Sequence, residues 1–170
     1  MRRYLLIVAA LAVAAPLLVI NNNSWSSADE AEHCIAVVLY QTDDGEFVLS
    51  DPECTTGSYD DLAISMGIGS FTSDGEVAAG SRYATLARHY DGDWYSGSSL
   101  SIAGSSCGGG WLNLSSSWDN RINSTWTFSG TCARVKHFDG SGLTGSYQST
   151  WPRGTLSYMK NRANSIQYLG

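Results

Sequence analysis

Residues 89–98 read HYDGDWYSGS, and residues 137–146 read HFDGSGLTGS. Both stretches carry His, an aromatic, Asp and Gly in that order, then Gly-Ser at the same spacing: His89-Tyr90-Asp91-Gly92 with Gly97-Ser98, and His137-Phe138-Asp139-Gly140 with Gly145-Ser146. A second motif follows in each copy, where Asp119-Asn120-Arg121-Ile122-Asn123-Ser124 recurs as Lys160-Asn161-Arg162-Ala163-Asn164-Ser165. Two motifs repeated in the same order define two units of about forty residues each.

Each shared feature has a physical reason. An aromatic at the end of a strand packs over the turn that follows, and the later glycine permits the backbone angles that fold a hairpin back across its sheet. In the Asn-Arg-x-Asn-Ser run, Asn and Ser side chains bond their own backbone and hold a sharp connection before the last strand. From Tyr83 onward the chain is made of short β-rich runs with frequent Gly and Ser, many aromatics and little helical period. That composition predicts an all-β Greek-key sandwich or barrel. One copy has edges to hide, and two copies packed face to face bury them.

These residues resemble the βγ-crystallin superfamily, in particular its secreted microbial members. Tyr90 to Gly97 fits that family's aromatic, four residues, aromatic, any residue, glycine signature, with Tyr95 as the second aromatic. Phe138 to Gly145 keeps the first aromatic and the glycine but has Leu143 in place of the second aromatic. The resemblance implies a two-repeat Greek-key domain over residues 81–170, with repeats at 81–128 and 129–170. In calcium-binding members the later motif supplies ligands. The positions that correspond here are Asn120 and Asn123 in the first copy and Asn161 and Asn164 in the second, with Asp119 as the one acid within the two motifs. Both copies depart from the family at the fifth position, where Asn replaces Ser or Thr, and Lys160 stands where the first Asn or Asp of the second motif belongs. Calcium wants six to eight oxygens, and its affinity rises with the number of carboxylates. The expectation is therefore no calcium, or weak binding on the order of 0.1 to 1 mM.

Ahead of the repeats, Arg2 and Arg3 precede an apolar run from Tyr4 to Ile20, the pattern of an export signal. Pro16 disfavours a cut after Ala15, so the signal is expected to span residues 1–28. An uncleaved membrane anchor is the competing reading. Residues 29–80 are expected to form a small N-terminal region. Within it, His33 to Leu49 predicts a β-hairpin turning at Asp43-Asp44-Gly45, Tyr59 to Met66 a short helix capped by Ser58, and Gly67 to Gly80 a loop or linker. Four cysteines in an exported chain predict two disulfides. Three pairings are open, and the local one, Cys34 with Cys54 and Cys107 with Cys132, is expected.

The formal net charge of −6 argues against a nucleic-acid partner, because phosphate neutralisation needs a basic face. No Gly-x-Ser-x-Gly elbow, His-Glu-x-x-His pair, phosphate loop or dinucleotide glycine pattern occurs. His89 and His137 hold equivalent repeat positions, as fold-defining residues do. The chain is therefore expected to be a secreted non-enzyme. The resemblance adds a protease inhibitor or killer-toxin-like protein as an alternative, since secreted bacterial proteins of those kinds share the fold, although fold alone is a poor guide to function. A third alternative binds or acts on cell-wall glycans. Among the tryptophans, Trp111, Trp118 and Trp126 are expected in the core. Packing is also favoured for Trp94 and Trp151 over exposure to a sugar or a protein partner. The segment 105–110 is expected to be a glycine hairpin pinned by Cys107.

Overall fold

A computed structural model describes residues 30–70, 76–128 and 132–170. The expected signal and its cut near Ala28 lie outside them. The N-terminal region holds β1 (His33–Gln41), β2 (Phe47–Leu49), β3 (Glu53–Thr55), helix α1 (Tyr59–Ser65) and the two-residue β4 (Ile68–Gly69). The first repeat holds β5 (Tyr83–Tyr90), β6 (Ser99–Gly104), β7 (Trp111–Asn113) and β8 (Ser124–Thr127). The second holds β9 (Arg134–Phe138), β10 (Tyr147–Thr150), β11 (Arg153–Thr155) and β12 (Ser165–Leu169). Strand is the predominant regular structure among the described residues, so the all-β expectation holds at that level.

Strand formation follows the period-two pattern. In β9, Val135 and His137 are buried while Arg134 is exposed and Lys136 half-buried; in β12, Ile166 and Tyr168 are buried between half-buried Gln167 and Leu169. The buried sets meet in one core that includes Leu86, Ile102, Ile122, Val135, Leu156 and Ile166. Burying each of these aliphatic side chains fully contributes about 1.5–3 kcal/mol.

Two sheets carry this core. One runs β11-β8-β5-β6-β1-β2, with β3 also on β1 and β4 on β5; the other runs β10-β9-β12-β7. The third strand of each repeat has changed sides. β7 pairs antiparallel with β12 of the second repeat, and β11 pairs antiparallel with β8 of the first. Neither repeat completes its own sheet.

The N-terminal region pairs with the repeats and shares their core. β1 lies parallel to β6 from His33 opposite Ser99 to Val37 opposite Ala103, which extends the first sheet beyond the repeat. Along the other edge of β1 run two short strands in succession, β3 against its start and β2 against its end. Ser50 joins them, its hydroxyl accepting the Val37 N–H at 3.0 Å and its own N–H donating to the Val37 carbonyl at 2.8 Å. Cys34, Ala36 and Phe47 belong to the same core as the repeats. On the outer face, Ala63 of α1 packs with Ile35, Val37, Ile68 and Ala103. The Ser58 hydroxyl caps α1 by accepting from the Asp61 N–H at 3.3 Å. The segment expected to be a plain loop from Gly67 contains β4, which adds to β5 in parallel.

The disulfides are the local pair, Cys34–Cys54 and Cys107–Cys132, closing separations of 20 and 25 residues. Each is worth about 3 kcal/mol in the chain-entropy account and suits an oxidising compartment. Among the described residues, no helix is long and apolar enough to cross a membrane.

Candidate inter-repeat site

The repeated motifs meet where the two repeats join, and each turn is built twice. In the first repeat, Ser124 donates its hydroxyl to the Gly92 carbonyl at 2.7 Å and accepts the Tyr95 N–H at 2.9 Å. In the second, Ser165 donates to the Gly140 carbonyl at 2.6 Å and accepts the Leu143 N–H at 3.0 Å. The arginines clamp the same turns: Arg121 reaches Asp91 at 2.8 Å and Arg162 reaches Asp139 at 2.8 Å. Both pairs are partly exposed, so each is worth under about 1 kcal/mol.

Other contacts cross between the repeats. Asn120 and Asn161 adopt left-handed backbone angles, φ 56° and φ 53°, a conformation Asn tolerates better than most residues. Turned this way, the Asn120 N–H donates to the Ala163 carbonyl at 2.9 Å, and the Asn161 N–H to the Ile122 carbonyl at 3.1 Å. Asp119 and Asn164 are brought together, the amide donating to the carboxylate, while Asn120 donates to the other carboxylate oxygen at 3.3 Å. On the pseudo-equivalent side Lys160 takes the place of Asp119, and its ammonium meets Asp93 at 2.6 Å. Asn123 is buried there and donates its amide to the Asp91 carbonyl.

Two features of this donor set oppose calcium. Beside Asp93 the protein supplies its own cation in Lys160. Beside Asp119 the carboxylate is met by amide nitrogens rather than by further oxygens, and a hard cation gains nothing from N–H donors. Asn161 is exposed and contributes through its backbone. The resemblance pointed to five residues that lie near one another at this junction; Asn120 and Asn164 bond the Asp119 carboxylate, while Asn123 Oδ1 and the neighbouring Asp93 Oδ1 are buried without a hydrogen-bond partner. Sequence reasoning missed the charge pairing. Its signal was available in an Asp and an Arg that recur at matching positions in both units, and in the swap of Asp119 for Lys160.

His89 and His137 lie beneath these turns and are fully buried. Tyr168 Oη lies 2.9 Å from His89 Nε2, His89 Nδ1 lies 3.0 Å from Thr125 Oγ1, and Thr125 Oγ1 lies 2.8 Å from His137 Nε2. The rings meet edge to face at 5.5 Å. Burial lowers both imidazoles, His89 well below the ordinary 6.5 with the charge of His137 adding to the effect, and His137 to about 4. Burial also raises the Tyr168 hydroxyl well above its ordinary value. The chain of bonds is sealed from solvent, so it orders the core and offers no base to a substrate.

The tryptophans divide differently from the expectation. Trp118 is core, whereas Trp111 and Trp126 are half-buried, and Trp126 stacks on Phe128 at 5.4 Å. Trp94 is 79% exposed and Trp151 is 65% exposed, which overturns the packing expected for both. Trp94 stands at φ 56°, where the second repeat has Gly142 at φ 63°. In the segment 105–110, Cys107 and Gly110 are buried and the residues around them exposed, so the turn is anchored at two points. No protein-family model, curated protein or solved structure matches this chain.

Proposed function

We propose that this chain is a secreted, non-enzymatic βγ-crystallin-like protein that persists outside the cell and acts by binding, with its inter-repeat centre closed by its own side chains in place of calcium. The observation that carries the reading is the reciprocal exchange of β7 and β11 between two repeats whose turns are bonded in duplicate, together with the Lys160–Asp93 pair at their junction. A two-fold centre held by hydrogen bonds and ion pairs needs no ligand to order it. The buried histidines support a scaffold role, since a general base must reach the proton it abstracts.

Thermal melts with and without calcium test this reading. The wild-type melting temperature is expected to stay level through several millimolar calcium on the scale of weak extracellular sites. Lys160→Asp removes the built-in cation and adds a carboxylate, so this variant is expected to gain a calcium-dependent rise. A wild-type protein that climbs by several degrees would overturn the proposal. Turnover of peptidoglycan or model glycans by the purified protein would count against its non-enzymatic part.

An extracellular protease inhibitor is the second reading. Its support is the turn at 105–110, which the Cys107–Cys132 bridge and buried Gly110 tie to the core, and pre-organisation is how a loop gains affinity. Failure to slow any member of a broad protease panel would remove it.

A further inference from the structure

The two sheets differ in width, and the difference leaves a cavity. The first sheet continues past β6 into β1, β2 and β3, whereas the second ends at β7. Ala36 and the Cys34–Cys54 bridge therefore overhang a face that no strand of the second sheet covers. The β1–β2 hairpin curls down and partly closes the gap. The Trp111 N–H donates to the Gly45 carbonyl at 3.0 Å, the Trp111 indole donates to the Asp44 carbonyl at 3.2 Å, and Asn113 donates its amide to Glu46 at 3.3 Å. Phe47 enters the core here and packs on Tyr168 at 5.8 Å. Behind this seam remains a space of about 430 Å³, walled by Leu49, Leu100, Leu112, Leu114 and Trp118. An open cleft of this size falls in the range of small-molecule sites, which begin near 300 Å³.

The mouth of the cavity is acidic. Glu32, Glu46 and Asp51 line it, and none of them has a cationic partner among the described residues. Arg121 is the one cation on the lining, and its charge is engaged by Asp91 at 2.8 Å. An apolar chamber with a carboxylate rim selects a molecule with a hydrophobic body and a positive head. The body takes the place of water on the leucine walls, and the head meets the uncompensated acids.

We propose that the cleft between the β1–β2 hairpin and the first repeat is a binding site for a small apolar amine, with Leu112, Leu114 and Trp118 receiving the apolar part and Glu32 and Asp51 facing the ammonium. This site shares Arg121 with the inter-repeat centre but does not depend on the function proposed for it.

Calorimetric titration of the oxidised protein with three matched probes tests the assignment: 4-phenylbutylammonium, the neutral 4-phenylbutanol and the anionic 5-phenylpentanoate. The amine is expected to give saturable heat in the millimolar range or below, with the carboxylate weaker by about tenfold or more. Glu32→Gln/Asp51→Asn is expected to erase that preference and leave the alcohol unchanged. Leu114→Trp fills the chamber and is expected to abolish binding of all three. In the unaltered protein, amide NMR shifts on adding the amine should fall on residues 49–54 and 112–118, a readout that needs no variant. No saturable binding of the amine, equal binding of the carboxylate, or shifts centred elsewhere would overturn the proposal.

Discussion

Trp94 pays for its position in backbone strain and recovers little through packing. A left-handed conformation costs a non-glycine residue about 1–2 kcal/mol, and the side chain lies largely in solvent. Its counterpart, Gly142, takes the same angles without that cost. Trp94→Gly is therefore expected to stabilise the protein by about 0.5 kcal/mol, the relief being offset in part by the greater freedom of glycine in the unfolded chain. Urea denaturation would measure it, and any loss of partner binding in the same variant would explain why tryptophan is there. The opposite case is Gly145, at φ 81° with the Asp139 carboxylate where a β-carbon would stand. Gly145→Ala is expected to cost about 2 kcal/mol, read from the same denaturation curves. The alignment of Trp94 with Gly142 was visible in the sequence. Its exposure was not, because hydrophobic character predicts burial until the turn is known to point outward.

At the level of elements, β5 and β9 each bring one histidine to the same buried centre, and the two strands share a pH dependence. Both imidazoles are held below their ordinary value, so between about pH 6.5 and the folded pKa the unfolded chain binds protons that the folded chain refuses. Stability is complete above pH 6.5 and declines as the pH falls. For His137 the loss continues to about pH 4, at roughly 3 kcal/mol over the window, with His89 adding in the same direction. Urea midpoints measured from pH 7 to pH 4 should fall steadily, and a flat profile would show that the centre admits a proton. The β-rich character of the repeats was legible in the sequence, whereas β4, in a segment that reads as a loop, was not. The hairpin with its turn at Asp43-Asp44-Gly45, the Ser58 cap of α1 and the local disulfides all follow from short-range chemistry that the chain states directly. The parallel contact of β1 with β6 was not legible. It joins segments some sixty residues apart and leaves no periodic mark, since β1 reads the same whether its partner is a hairpin or a distant strand. The cavity under β1 was hidden for the same reason, because it exists only where that distant pairing makes one sheet wider than the other.

For the molecule as a whole, the N-terminal strands are part of the fold on which the repeats depend. Removing residues 30–57 would unpair one edge of β6 and uncover Leu100 and Ile102. The truncated chain is expected to aggregate or to fold only as an oligomer, as an open apolar edge does, and size-exclusion chromatography would report it. The exchange of β7 and β11 reaches further, into the history of the chain. A lone ancestral repeat would have a vacancy in its sheet shaped like the strand it extends outward, so it could complete itself only by trading that strand with an identical partner. Gene duplication with fusion turns such a pair into one polypeptide. From then on the halves can diverge, and one copy can accept a lysine where the other retains an aspartate without the loss of symmetry undoing the assembly.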